Sequence, residues 1–213
     1  MEIHRANTDQ CPKGAIAVAI NPGHELPHSG IVYTDGNGAV RFCDLVLPGL
    51  VLVRELPGRY FWTPVDLDAA EATQVAVFVE MIARESQGRR VSYSFIYPTT
   101  DGFDAIGRIL EGVGFTCATF VSSILGHLQF HVVDITTWRL RPIQDARFRA
   151  DVIEFARDNG LEDEATRLTN EPEHFRLKPS ELFGSATHSR YPVKFRQATK
   201  LAKTVRKLLG KYP

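Results

Sequence analysis

The sequence predicts an α+β fold in which an antiparallel sheet packs against helices. Three observations carry this expectation. Apolar runs of strand length fill the chain up to about residue 65, and helical spacing dominates after residue 68. Asp35-Gly36-Asn37-Gly38 separates two such runs and is a strong tight-hairpin signal, which pairs neighbouring strands antiparallel. Strands first and helices later argues against alternating βαβ units. At 213 residues the chain can bury a proper core without staples.

Taken in order, residues 14–20 (GAIAVAI) form a short apolar run of buried-strand type, followed by a Pro/Gly-rich loop over 21–27. Residues 29–34 (SGIVYT) and 39–46 (AVRFCDLV) are the arms of the hairpin. Residues 49–56 and 59–65 are two further strands around the turn Pro57-Gly58. The first helix is expected over 69–87. Asp68 and Glu71 make a capping pair, Ala72, Val75, Ala76, Val79, Ile82 and Ala83 keep helical spacing, and Gly88 stops it. Residues 91–97 (VSYSFIY) are read as a strand or an extended segment ending at Pro98, and a short helix is expected around 104–112. Over 115–126, Phe120, Val121, Ile124 and Leu125 form one apolar helical face that ends at Gly126. The stretch from His127 to Ile135 is read as extended. Helices are expected at 143–159, 161–169 and 194–209.

Composition narrows the function classes. Hydrophobic residues make up 44% and charged residues 23%, and the formal net charge is zero, so the total charge predicts no polyanionic partner. The charge is unevenly placed: residues 189–213 hold eight basic side chains and no acidic one. Three cysteines, Cys11, Cys43 and Cys117, are too few and too odd in number for a disulfide framework, and they point to a reducing compartment. The polar start MEIHRANTDQ does not look like a signal peptide, and no run approaches membrane-spanning length. A cytoplasmic protein is expected.

One segment spells a metalloprotease pattern. His24-Glu25-Leu26-Pro27-His28 matches H-E-x-x-H, which holds zinc because positions i and i+4 share a helix face. Pro27 breaks that helix, at a cost of about 3 kcal/mol, and turns Leu26 toward extended geometry. His127 and His131 are also four apart, but the surrounding sequence is read as extended and offers no cysteine or carboxylate pattern to complete a site. No metal ligand is assigned.

Cys117 is the stronger clue. Thr116 can cap a helix that Cys117 opens, and a thiol there meets the positive end of the helix dipole and free backbone N–H groups. The same N–H groups can hold an oxyanion. A nucleophilic cysteine needs a base and a group to orient it. His28 stands at the start of a strand. On the returning strand Val40, Phe42 and Asp44 share one face, and Arg41 and Cys43 the other. With Phe42 facing the core, Asp44 emerges near the strand end, able to accept a hydrogen bond from His28.

These residues resemble a family. HSGIVYTDGNGAVRFCDLV is similar to the histidine strand and hairpin of the NlpC-type papain-like cysteine hydrolases, and GFTCATFVSSILG to their nucleophile helix. Histidine precedes cysteine here. That order is similar to the circularly permuted branch, which includes lecithin retinol acyltransferase-like and bacterial permuted papain-like proteins. The resemblance covers about residues 10–145. Where the acyltransferase branch has Asn before the cysteine, Thr116 stands here.

The resemblance implies a permuted papain-like catalytic domain over 1–145, with a helical extension over 146–213 ending in a basic amphipathic helix. It implies a cysteine hydrolase or acyltransferase that cleaves an amide or ester bond through a thioacyl intermediate. Cys117 would be nucleophile, His28 base and Asp44 orienter, with Tyr93 as an oxyanion-hole group upstream of the cysteine. No cofactor is required. The substrate class is a peptide, an amide or a lipid ester. A non-catalytic binding module on the same fold and a histidine-based metal site are the alternatives. In the tail, Phe195, Ala198, Leu201, Ala202, Val205, Leu208 and Leu209 form an apolar stripe opposite a basic face. Such a helix either packs on the acidic body or makes a weak contact with an anionic membrane. The polar side has too few aromatic residues to suggest a specific nucleic-acid partner.

Overall fold

The computed structural model describes residues 1–23, 27–47, 49–98 and 102–210. Its strands and helices, in chain order, are β1 (His4–Arg5), β2 (Ala17–Asn21), β3 (His28–Thr34), β4 (Val40–Val46), β5 (Leu50–Arg54), β6 (Phe61–Pro64), α1 (Ala69–Glu85), β7 (Ser92–Tyr93), β8 (Gly114–Phe115), α2 (Cys117–His127), β9 (Val133–Asp134), α3 (Pro142–Asp158), α4 (Glu162–Asn170), α5 (Pro179–Ala186), β10 (Val193–Lys194) and α6 (Phe195–Leu209). The architecture is mixed α+β. Its main sheet has six strands in the order β1-β6-β2-β3-β4-β5, every pairing antiparallel.

Both faces of this sheet are covered, which is why β2 and β3 are apolar almost throughout. On one face Val18, Ile20, Ile31, Tyr33, Cys43 and Leu45 join the main core with residues of α1, α2, α5 and α6. On the other, Ala17, Ala19, Val32, Phe42, Tyr60 and Trp62 pack with Cys11 beneath the N-terminal segment. Phe42 therefore does face a core, but the smaller one. Cys43 points into the main core and is completely buried.

The hairpin between β3 and β4 closes through Asp35. Its Oδ1 accepts from the Asn37 and Ala39 amides, and its Oδ2 accepts from Arg41 Nε at 2.9 Å. Gly38 supplies a φ of 77°. The capping pair on α1 is reciprocal. Asp68 Oδ1 accepts from the Ala70 and Glu71 amides, and Glu71 Oε2 accepts from the Asp68 amide at 2.8 Å. The buried stripe of α1 is Ala72, Val75, Phe78, Val79 and Ile82.

Three expectations need correction, and one helix lies outside them. No helix spans 104–112. Asp104 Oδ1 accepts from the Ile106 and Arg108 amides, an Asp-driven turn that competes with a helix, and Phe103 bridges Ile109. Only Ser92–Tyr93 of 91–97 is strand. His127 closes α2 rather than opening an extended segment. Beyond it Gln129 turns through a φ of 68°, and the Phe130 amide returns to the Leu125 carbonyl. The unforeseen helix is α5, which is short and buried at all eight positions, so no solvent-facing stripe marks it, although Pro179 at its first position and Glu181, which accepts the Lys178 amide, are ordinary start signals.

The C-terminal helices complete the core. Leu182, Phe183 and Ala186 of α5, with Ala198, Val205 and Leu209 of α6, belong to the same apolar cluster as the sheet. β10 adds a parallel pair to β9. Helices α3 and α4 form a second cluster with Tyr93 and Phe95. On α6 Ala198, Ala202, Val205 and Leu209 face inward, Leu208 of the expected stripe is exposed, and Arg196, Lys200, Lys203, Arg206 and Lys207 are exposed. No helix among the described residues is long and apolar enough to cross a membrane.

Candidate active site

Helix α2 begins at Cys117. Thr116 is its N-cap, in extended geometry, and its Oγ1 accepts the Thr119 amide at 3.2 Å. Thr119 Oγ1 in turn accepts the Thr116 amide at 2.7 Å. This box leaves the first-turn N–H of Cys117 without an intrahelical acceptor, aimed out of the helix start. Cys117 is 7% exposed, a thiol at the end of a passage rather than on a surface.

Opposite it, His28 is the first residue of β3, on a strand where a zincin would need a helix. His24 and Glu25 lie outside the described residues. Alternation puts His28, Gly30 and Val32 on one face of β3, and Gly30 pairs with Asp44 on β4. Asp44 thus sits diagonally from His28, the geometry of cross-strand neighbours. His28 Nε2 and Asp44 Oδ2 are 3.0 Å apart. Gly30 permits this packing. A Cβ there would lie 2.4 Å from Phe42 Cε2 and 2.6 Å from the Cys43 carbonyl oxygen.

Asp44 is completely buried. Two partners compensate its charge: His28, and Arg54 of β5, whose Nη2 donates to the same Oδ2 at 2.5 Å. The Arg54 guanidinium also lies over the Phe42 ring, 5.7 Å from its centroid. Tyr60 meets His28 edge-on, with ring centroids 6.5 Å apart. With Nε2 engaged by Asp44, Nδ1 is the ring nitrogen left to hydrogen-bond Cys117.

The electrostatics follow from this arrangement. Burial by itself would push the Cys117 thiol up. The His28 charge and hydrogen bond outweigh it, with help from the Ser29 backbone, and bring the thiol down to about 7. Ser29 Oγ is buried without a well-aligned hydrogen-bond partner, so its own pull on the sulfur is the weakest. For His28, burial pushes down, but the Cys117 thiolate and Asp44 push up and win, raising it to about 10. Between these values the stable form is a thiolate–imidazolium pair. The other two thiols go the opposite way. Burial raises Cys11 to about 11 and Cys43 further still. All three cysteines are free.

Cys117 and His28 open into a cleft of about 370 Å³ between the sheet and helices α3 and α5. Tyr93 lines it too. Its backbone is fixed by Glu164, which accepts its amide, and by Arg167, which donates to its carbonyl. Burial raises the Tyr93 hydroxyl, so it stays protonated and can donate. Cys117, His28 and Tyr93 therefore line one cavity, and Asp44 lies directly behind His28. His127 is elsewhere, stacked face to face on Phe78 at 4.3 Å. Among the described residues no group of three or more His, Cys, Asp or Glu side chains could hold a metal ion.

The chain matches no protein-family model, no curated protein and no solved structure.

Two residues of the site lie beyond what the sequence pattern suggests. Arg54 could have been found from the hairpin register, since Leu52 faces Asp44 and Arg54 lies two residues on, on the same face. Arg176, also in the cleft wall, sits in the irregular segment before α5 and has no local signal.

Proposed function

We propose that the protein is a cysteine-nucleophile hydrolase or acyltransferase that works on an amide or ester bond through a thioacyl intermediate, on a permuted papain-like fold, in the cytoplasm. The observation that carries this reading is the Cys117–His28 pair, with the thiol at a helix start and the imidazole anchored by a buried carboxylate. The order of histidine before cysteine, and the resemblance of both segments to the NlpC-type hydrolases, support the fold assignment.

In this reading the Cys117 thiolate attacks the substrate carbonyl carbon. The developing oxyanion is stabilised by the Cys117 amide at the positive end of α2, with the Tyr93 hydroxyl as a second donor. His28 gives its Nδ1 proton to the leaving amine or alcohol as that bond breaks, which leaves a thioester on Cys117. Water, or an acceptor amine or alcohol, then attacks the thioester while His28 takes its proton. The thiolate leaves and the imidazolium re-forms. Asp44 keeps the ring in the orientation and tautomer both steps need, as the third member of a triad does.

The test is capture of the intermediate. Mixing the protein with a p-nitrophenyl ester should give a burst of p-nitrophenol and add the acyl mass to the peptide containing Cys117. Cys117→Ser should lose both. An acyl group found on another residue, or a burst retained in Cys117→Ser, would reject the assignment.

A further inference from the structure

The cleft wall is cationic. Arg54, Arg59 and Arg176 line it, and among the described lining residues there is no acidic side chain. Arg54 is committed to Asp44. Arg59 is exposed at the rim, on the turn between β5 and β6. Arg176 differs from both. Its guanidinium carbon lies 3.1 Å from the centroid of the Phe148 ring, so it is stacked against the apolar wall. Burial pushes its pKa down, the sign of a desolvated charge. On its other side Arg176 shares a second cavity wall with Asp145, Glu171 and Glu173; Asp145 is held by Arg141 Nε at 3.4 Å and Glu171 by Arg167 Nη1 at 2.5 Å. Arg176 itself forms no ion pair with a described carboxylate.

The position of Arg176 is built. Arg141 donates to its carbonyl oxygen, and the next residue, Leu177, is 1% exposed in the main core. The cleft that Arg176 shares with Cys117 also has apolar lining from Leu45, Phe148 and Leu177, with Phe155 partly exposed to solvent. A planar guanidinium pinned by stacking, short of a partner and facing a cavity is suited to a carboxylate or phosphate, which it can bind through two parallel hydrogen bonds. The cavity volume falls in the range of about 300–1,000 Å³ usual for small-molecule sites.

We infer that Arg176 is a specificity-determining residue: the cleft takes an acyl group that carries an anion a few carbons from the scissile carbonyl. The inference rests on the cysteine-nucleophile reading for the reaction, but the anion site can be tested apart from it. The matched pair is mono-p-nitrophenyl glutarate and p-nitrophenyl pentanoate, of equal chain length, with a phosphonate-terminated ester to separate carboxylate from phosphate preference.

The wild-type protein should favour an anionic ester over the neutral one in kcat/KM by about tenfold or more, as expected when a substrate charge meets a bidentate partner. In Arg176→Gln that ratio should collapse toward unity, mainly through KM. Arg176→Lys, which keeps charge but loses the fork, should recover part of it. An equal loss on both esters in Arg176→Gln would mark a structural role and overturn the inference, as would a wild-type preference for the neutral ester. Calorimetric titration of Cys117→Ser with glutarate, and with a phosphonate of equal length, reads the same site without turnover. Binding that vanishes in the Cys117→Ser, Arg176→Gln double variant supports the anion site even if no ester is hydrolysed, an outcome that would sink the catalytic reading alone. No binding of either anion overturns the inference.

Discussion

Replacing His28 with Asn should move the reactivity of Cys117 in a direction and by an amount that the geometry sets. In the wild-type protein the thiol is brought from 9.0 to about 7. At pH 7 roughly half of the sulfur is then thiolate, against about one part in a hundred for an unshifted thiol, a gain of about fiftyfold. A less basic thiolate is also less nucleophilic. With a Brønsted coefficient of about 0.4–0.5, two pKa units cost roughly eightfold, so the net advantage at pH 7 is about sixfold. The His28→Asn change would remove the positive charge and the proton that favour thiolate, leaving burial as the main influence, and burial raises the thiol. The variant should react at least about sixfold more slowly at pH 7, with its break above pH 9. The assay is iodoacetamide alkylation from pH 5 to 10, read by peptide mass. The position of the break matters more than the absolute rate, because limited access to Cys117, a residue 7% exposed, slows both proteins alike. Cys11, raised to about 11, and Cys43, fully buried, serve as internal references. A wild-type break near 9, or superimposable profiles in the two proteins, would refute the ion-pair account.

Other perturbations test the supports. Asp44→Asn removes the carboxylate that helps hold His28 up at about 10. The imidazolium should titrate lower by NMR, and turnover of an activated ester should fall by about a hundredfold or more, as when a triad loses its orienting carboxylate. Gly30→Ala forces a methyl group against the Phe42 ring and the Cys43 carbonyl, and should destabilise the protein by about 1–3 kcal/mol in urea denaturation. Arg141→Ala strands Glu181, which is 1% exposed, and Asp145 without their cation; the expected loss is about 3–5 kcal/mol, with a lowered denaturation midpoint as the readout.

Much of the local structure could be read from residue order because the interactions that make it close within a few residues. The Asp35 turn, the Asp68–Glu71 box and the Thr116 cap each join groups two to four positions apart. Alternation over 40–44 likewise places Asp44 on the Phe42 face without reference to packing. Asp104 shows the limit: a single side chain accepting two nearby amides converts an expected helix into a turn. Helix α5 shows another, since burial on all sides erases the periodicity by which a helix is recognised.

Residue order alone specifies an antiparallel hairpin that begins at His28, a capped helix that begins at Cys117, and a composition able to bury a core. Packing sets which face of the sheet meets α1 and α2, brings His28, Cys117 and Tyr93 to one cavity, and adds Arg54 and Arg176 to its wall. The difference is one of range. Caps, turns and hydrophobic periods are energies between neighbours in the chain. The pairing of Asp44 with Arg54 depends on strand register, and the stacking of Arg176 on Phe148 depends on how the segment before α5 is seated against α3. Neither arrangement exists until the chain has closed its core.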